Sequence, residues 1–406
     1  NSRTAAVTTP RTRTLAAPAI ASSAVLAIGL AAWPYTVDDA FVLARYAARL
    51  AAGDGWTMND GPPTDGVTGP LGLVPGVVAA LLGRDPVFAS KLTGLLAGAL
   101  AAALVARRAA PLTPSSALLP LLLASPLLAV WSVAGLETGV AVLAAAVAAV
   151  AALGSVAPDS REGRKGGNEE EEEEEEGAAP ATDSVSDSAT YGARGRAVAL
   201  GLSVGCLAWL RPELAAREDP ARRPLALALG AHLVSVALAG GDWMPGFRLF
   251  APVLPAYALV ASGAVARRLP GWRGWALLAG ATAIPLASHA FVLPLARDAG
   301  EAREEAGAEL ADWLAAHGAR VALVDIGYLG WRSGLEVVDL GGITDPEVAR
   351  APGGHVAKAL DVGWLAARDP DLFVLSSRIA PRVSEDGQLV SFLGHPVEHR
   401  VARTAW

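Results

Sequence analysis

Nine stretches run through this chain with few charges, at residues 15–34, 67–83, 86–106, 115–134, 136–155, 195–210, 224–240, 251–266 and 274–296. No other feature constrains the fold as tightly. A helix of about 17–25 apolar residues matches the hydrocarbon thickness of a bilayer. Composition points the same way: 52% of the 406 residues are hydrophobic and 18% are charged, whereas a soluble domain carries about 25% charge. The sequence therefore predicts an α-helical polytopic membrane protein with roughly 8–9 membrane segments. The first stretch leads directly into an acidic pair with no small-residue cleavage site, so it reads as a retained helix and not as a signal peptide.

Lys and Arg concentrate in cytoplasmic loops. The basic positions are Arg3/Arg11/Arg13, Arg107/Arg108, Arg161/Arg164/Lys165 with Arg194/Arg196, Arg222/Arg223, and Arg267/Arg268/Arg273. Holding all of them inside places a 1–14 tail in the cytoplasm and residues 35–66 outside, together with everything after Leu295. If 67–83 spanned fully, Arg107 and Arg108 would fall outside. That segment is broken by Gly69, Pro70, Gly72, Pro75 and Gly76, so it is expected to be re-entrant or to lie along the surface, with its backbone covered by protein. Trp33, Trp56, Trp131, Trp209, Trp243 and Trp272 fall near segment ends, as interfacial anchors do.

These divisions give a first membrane half over 15–155, a second over 195–296, and a cytoplasmic loop between them. The loop, 156–194, is rich in Gly, Ser, Asp and Glu and has too little apolar area to form a core. It holds the unbroken run Glu169–Glu176. Without those glutamates the rest of the chain lies within one charge of neutral, against a formal total of −7, so no nucleic-acid surface is expected. The single Cys206 excludes a disulfide framework and a thiolate metal site. From about residue 297 the pattern changes. An amphipathic helix over 301–317 precedes the buried-strand runs Val321-Ala-Leu-Val-Asp-Ile, Leu335-Glu-Val-Val-Asp-Leu and Leu372-Phe-Val-Leu, with a helix near 355–367. Strands alternating with helices predict a small α/β domain over 297–406, on the extracytoplasmic side by the charge rule.

The polar residues that interrupt the apolar runs carry the chemistry. Asp38 and Asp39 open a segment whose Ala40, Leu43, Ala44, Ala47 and Leu50 recur at helical spacing, with Arg45 and Arg49 between them. Glu137, the pair Arg211 and Glu213, and the pair Asp242 and Arg248 also lie at or between apolar stretches. Each alone can be an acidic first turn or a side chain snorkelling to the interface. Charges at membrane depth cost about 2.5–3.5 kcal/mol on insertion scales, so as a set they are expected to face a cavity or a substrate. Carboxylates can take a proton from a hydroxyl, and arginines can hold a lipid phosphate. His395 and His399 stand at helical spacing without a nearby third ligand and read as a solvated turn.

The chain resembles polytopic glycosyltransferases of the GT-C architecture, most closely the terminal arabinofuranosyltransferase-like family of actinobacteria. The resemblance rests on Thr36-Val-Asp-Asp-Ala-Phe through Arg45-Tyr46, Asp54-Gly-Trp-Thr-Met-Asn, Asp65-Gly-Val-Thr-Gly-Pro-Leu and Ser132-Val-Ala-Gly-Leu-Glu-Thr. It continues in Arg211-Pro-Glu, Gly241-Asp-Trp-Met-Pro-Gly-Phe-Arg, Asp325-Ile-Gly-Tyr-Leu-Gly and Leu340-Gly-Gly-Ile-Thr-Asp-Pro-Glu. It implies a multi-pass enzyme of the cell membrane that moves a sugar, arabinofuranose among the options, from a polyprenyl-phosphate donor to a glycan or other acceptor on the outer face. By the same carry-over Asp38 or Asp39 is the base, and the other orients the acceptor or a divalent cation. Arg45, Arg211 and Arg248 would hold the donor phosphate. Tyr46, Asp65, Thr68, Glu137, Glu213, Asp242 and Trp243 would make the remaining substrate contacts. One departure stands out: where the family has an apolar helix after Arg-Pro-Glu, this chain turns polar at once, in Glu213-Leu-Ala-Ala-Arg-Glu-Asp. An inactive scaffold descended from such an enzyme stays open on that ground. A lipid or solute transporter is the other alternative, although the halves show no internal repeat.

Overall fold

Alanine fills most of the long helices, and it decides how they pack. The computed structural model describes residues 10–109, 125–154, 222–238, 248–268, 271–377, 379–385 and 389–404. Its first part contains α1 (Pro10–Ala31), α2 (Asp38–Ala52), α3 (Val74–Leu81), α4 (Pro86–Ala109), α5 (Pro126–Ser132) and α6 (Thr138–Gly154). Then come α7 (Arg222–Leu238), α8 (Leu254–Arg268) and α9 (Trp272–Ala302). Helix α4 is central and packs against both α1 and α6. Ala99, Ala102 and Ala106 of α4 meet Val25 of α1 and Val142, Ala146 and Ala149 of α6 in one buried cluster. Such small side chains let helix backbones approach closely. At the tightest point a Cβ on Gly139 would strike the backbone of Gly94.

This packing corrects the expectation of a polytopic protein with eight or nine spans. Among the described residues one helix, Pro86–Ala109, is long and apolar enough to cross a membrane. The shorter apolar helices Ala16–Ala31, Pro70–Leu81, Thr138–Ala152, Arg223–Leu238 and Arg248–Val260 have 10–17 residues, below the ~20 that a span requires. Alanine, Gly and Pro keep charge counts low without making long lipid-facing surfaces, so charge-poor windows overcounted spans. Trp131 likewise is no interfacial anchor: it is 2% exposed, and its ring meets Tyr35 edge-on. The segment 115–124 and all of 195–210 lie outside the described residues, as do the acidic linker and the polar stretch after Glu213.

The C-terminal part holds α10 (Ala308–His317), β1 (Arg320–Leu323), α11 (Tyr328–Ser333), β2 (Glu336–Asp339), α12 (Pro346–Arg350), α13 (Val362–Arg368) and β3 (Leu372–Phe373). A short antiparallel pair, β4 (Arg382–Val383) with β5 (Leu389–Ser391), and α14 (Pro396–Thr404) complete it. Three parallel strands form a sheet in the order β2-β1-β3, with Val321 opposite Val337 and Leu372. Both faces of β1 and β2 are covered, which is why these two strands read as apolar runs without alternation, whereas Phe373 of β3 is exposed. Val321, Leu323 and Val337 face the core shared with the helical part, whereas Ala322, Val324 and Val338 face a second cluster with Val348, Trp364, Leu365 and Val401. The first of these faces also meets Tyr46 and Met58, so sheet and helices share one apolar core.

Candidate functional site

The acidic pair does not cap its own helix. Val37 is the N-cap residue of α2 and makes no side-chain capping bond; Asp38 and Asp39 occupy the first turn. Asp38 instead turns toward the C-terminal part. Its Oδ2 accepts from the Gly327 N–H at 2.7 Å, and its Oδ1 accepts from the Tyr328 N–H at 2.9 Å. These N–H groups open α11, and they are among the donors a helix start leaves unsatisfied. Gly327 is needed for this approach, because a Cβ there would collide with the Asp38 backbone. Both Asp38 oxygens are thereby committed to joining two parts of the chain.

Asp39 is differently placed. It lines a cavity of about 1180 Å³ whose walls include Tyr35, Thr68, Glu137, Arg248, Arg303 and Asp325. The Arg248 guanidinium lies 3.9 Å from Asp39 Oδ2 and donates to Glu137 Oε1 at 3.0 Å. Burial raises the Asp39 carboxyl above its ordinary value, and the neighbouring Asp38 charge adds to this; Arg248 opposes it only in part. A carboxyl held in this way keeps a proton affinity closer to neutrality than an exposed one has. Burial also raises the Tyr35 hydroxyl.

The connection leading into α2 is held by two cations from distant elements. Lys91 of α4 donates to the Trp33 carbonyl at 2.5 Å, the Tyr35 carbonyl at 3.1 Å and Thr36 Oγ1 at 2.7 Å. Arg303 donates to the Thr36 carbonyl, and its guanidinium lies over the Phe41 ring. Arg303 begins a π-helical turn, Arg303–Gly307, that joins α9 to α10 and lines the cavity. A turn of this kind inserts an extra residue and re-aims the side chains that follow. The single amphipathic helix expected over 301–317 is therefore split by this turn.

The opposite wall comes from the carboxyl ends of the parallel strands. Asp325 follows β1, and Ile343 follows β2. The loop after β2 is shaped by Asp339, which is 2% exposed and accepts from the N–H groups of Gly341, Gly342 and Thr344 at 2.6–2.8 Å. His355 is anchored at its Nδ1 to the Gly341 carbonyl, 3.0 Å away, and reaches the cavity, as does His395. Asp325 is exposed where the cavity opens, and desolvation by the surrounding protein raises its carboxyl, with Asp38 contributing. Ligands of open α/β sheets sit outside the carboxyl ends of strands where the strand order reverses. Here β2 and β3 flank β1 on opposite sides, and the cavity is lined by the loops that follow β1 and β2.

Of the residues singled out from sequence, Asp38, Asp39, Thr68, Glu137 and Arg248 line the cavity. Arg45 does not. It is 8% exposed and donates to the carbonyls of Met58, Gly330 and Leu335 at 2.6–2.8 Å, so its guanidinium is a buried clamp with no reach to a phosphate in the cavity. Tyr46 is fully buried, its hydroxyl 2.7 Å from Thr64 Oγ1, and Asp65 is exposed outside the lining. Arg211, Glu213, Asp242 and Trp243 lie outside the described residues. Sequence reasoning missed Lys91, Arg303 and His355, and it set His395 aside. Lys91 did leave a signal, as the single charge inside an otherwise apolar stretch. Among the described residues no group of three or more His, Cys, Asp or Glu side chains is placed to hold a metal ion.

Residues 296–404, which carry Arg303, Asp325, His355 and His395, match the family model of a domain of unknown function, DUF8728. No curated protein and no solved structure matches the chain.

Proposed function

We propose that the cavity is the reaction centre of a glycosyltransferase that moves a sugar from a polyprenyl-phosphate donor to a glycan or other cell-envelope acceptor. The observation that carries this reading is the division of labour in the acidic pair: Asp38 is consumed by backbone N–H groups, whereas Asp39 faces the cavity with a raised proton affinity. Asp39 takes the proton of the acceptor hydroxyl. The acceptor oxygen then bonds to the anomeric carbon, the bond from that carbon to the phosphate oxygen breaks, and the electron pair leaves on the phosphate. Arg248 and Arg303, both on the cavity wall, face the charge that grows there. The sequence resemblance makes arabinofuranose the first sugar to test. Arg248 and Arg303 are the phosphate-side cations in this scheme, and Arg45 has no part in it.

The helix Pro86–Ala109 is the membrane anchor in this reading. Arg107 and Arg108 lie in its last turn, and Lys91, which holds the cavity's rim, lies near its start. With the basic end in the cytoplasm, the cavity stands on the outer side of the cell membrane. The decisive experiment offers candidate lipid-linked pentoses and hexoses to reconstituted protein and reads the product by mass spectrometry. Wild type is expected to form a glycosidic product and Asp39→Asn to form it about 10²–10⁴-fold more slowly. Wild-type rates from Asp39→Asn would sink the reading.

A further inference from the structure

The chain from Pro70 to Leu82 carries no charged residue and presents a row of large apolar side chains to the outside. Leu71 is 83% exposed and Leu82 71%, with Val74, Val78 and Leu81 between them on one face of the Pro70–Leu73 turn and α3. The other face is fully used. Leu73 and Ala79 are buried, and Gly76 sits so close to Ala47 of α2 and Pro86 of α4 that an added Cβ would lie 3.0 and 3.4 Å from their Cβ atoms. Helix α3 is thus wedged between α2 and the first turn of α4, with its outward row uncovered.

A second exposed apolar row lies on α4. Phe88, Leu92, Leu96 and Leu100 are all exposed at intervals of four residues, a single stripe about 18 Å long. The stripe is bounded by charge at both ends, Arg84 and Asp85 before it and Arg107 and Arg108 after it. Asp85 also marks the helix start, accepting from the Val87 N–H at 2.8 Å. A charge-bounded apolar stripe on a helix of span length fits bilayer hydrocarbon, and exposed apolar surface of this extent marks an interaction site. Helix α3 lies at the Arg84 end of this stripe, where its Gly76 meets Pro86 and Ser90 at the start of α4.

We infer that residues 70–82 are a membrane-surface foot, lying in the boundary between headgroups and acyl chains at the end of α4 opposite Arg107 and Arg108. The occupant of this face is the bilayer itself. The same turn touches the cavity wall: a Cβ on Gly72 would stand 2.8 Å from the Cβ of Glu137, the carboxylate that pairs with Arg248. The foot therefore seats the cavity at the lipid surface, where an amphiphile can present its polar end without leaving the bilayer. This assignment concerns the surface and does not depend on the glycosyl-transfer reading.

The test uses the full chain with Cys206→Ser, which leaves any introduced cysteine as the single thiol. Leu71→Cys, Leu81→Cys and Leu96→Cys are labelled with an environment-sensitive fluorophore and reconstituted in phosphatidylcholine–phosphatidylglycerol vesicles. Positions 71 and 81 are expected to shift to the blue and to be quenched more strongly by lipids with a spin label near the headgroup. Position 96 is expected to be quenched more strongly by lipids labelled near the chain end. Emission at 71 and 81 unchanged from water and untouched by either lipid overturns the proposal. Quenching there as deep as at 96 overturns the shallow placement. A blue shift indifferent to spin-labelled lipid but lost on diluting the protein in the vesicles assigns the face to a second copy instead.

Discussion

Two adjacent aspartates do different work here, and the difference is set by what each oxygen meets. Asp39→Asn is expected to lower transfer by about 10²–10⁴-fold, the usual contribution of a general base, with little change in melting temperature. Asp38→Asn keeps one carbonyl acceptor for the Gly327 and Tyr328 N–H groups and loses the other, so it is expected to cost about 1–3 kcal/mol of stability. Thermal unfolding read beside activity separates the two. The pH dependences run in opposite directions. Because the folded Asp39 carboxyl titrates above its ordinary value of 3.8, its contribution to stability is full below that value and is lost as pH rises through the folded pKa. Catalysis needs the ionised form, so the acid limb of the rate profile is expected above the ordinary carboxylate range. An acid limb at the ordinary carboxylate value would exclude Asp39 as the base. Two carboxylates in a row could be noticed in the sequence, but their division depended on Gly327, 289 positions further on.

Among the elements, α4 does two jobs that sequence alone did not separate. Its Ala and Gly face is packed, its Leu face is exposed, and Lys91 reaches from it to the turn that precedes α2. Replacing Lys91 by Met keeps the length and apolar stem but strands two carbonyls and a hydroxyl. The expected loss is about 2–4 kcal/mol, from hydrogen bonds to a charged group of about 1.5–3 kcal/mol each, partly recovered by water. Hydrogen exchange should rise locally over residues 33–39; unchanged protection there would show that Lys91 does not hold the turn. The apolar periodicity of α2 and the strand runs of β1, β2 and β3 were visible because each follows from local burial. The π turn at Arg303 was not visible, since an extra residue in a helix leaves no mark in composition.

For the whole molecule, Arg45 is the clearest link between the N-terminal helices and the C-terminal sheet. It binds Met58 on one side and Gly330 and Leu335 on the other. Burial lowers its pKa to about 10, which still leaves it charged at neutral pH. Arg45→Ala is expected to cost about 3–5 kcal/mol, because three carbonyls lose a charged donor in a buried setting. Limited proteolysis should then release the C-terminal part faster than in wild type. If Arg45→Ala melted like wild type yet lost transfer, Arg45 would be a substrate ligand after all.

The sequence by itself determined the apolar, alanine-rich character of the helices, the acidic pair at the head of an amphipathic helix, and the three strand runs near the C-terminus. Each of these is written in local spacing and burial. Tertiary structure decided that most of the charge-poor stretches pack against one another, and that among the described residues one helix has the length and apolarity of a membrane span. It also decided that Arg45 is a clamp, that Asp38 is a latch, and that Asp39 shares a cavity with Arg303, Asp325 and His355. The physical reason is the same in each case. A side chain's role depends on which distant groups satisfy its hydrogen bonds, and no local pattern records a partner almost three hundred residues away.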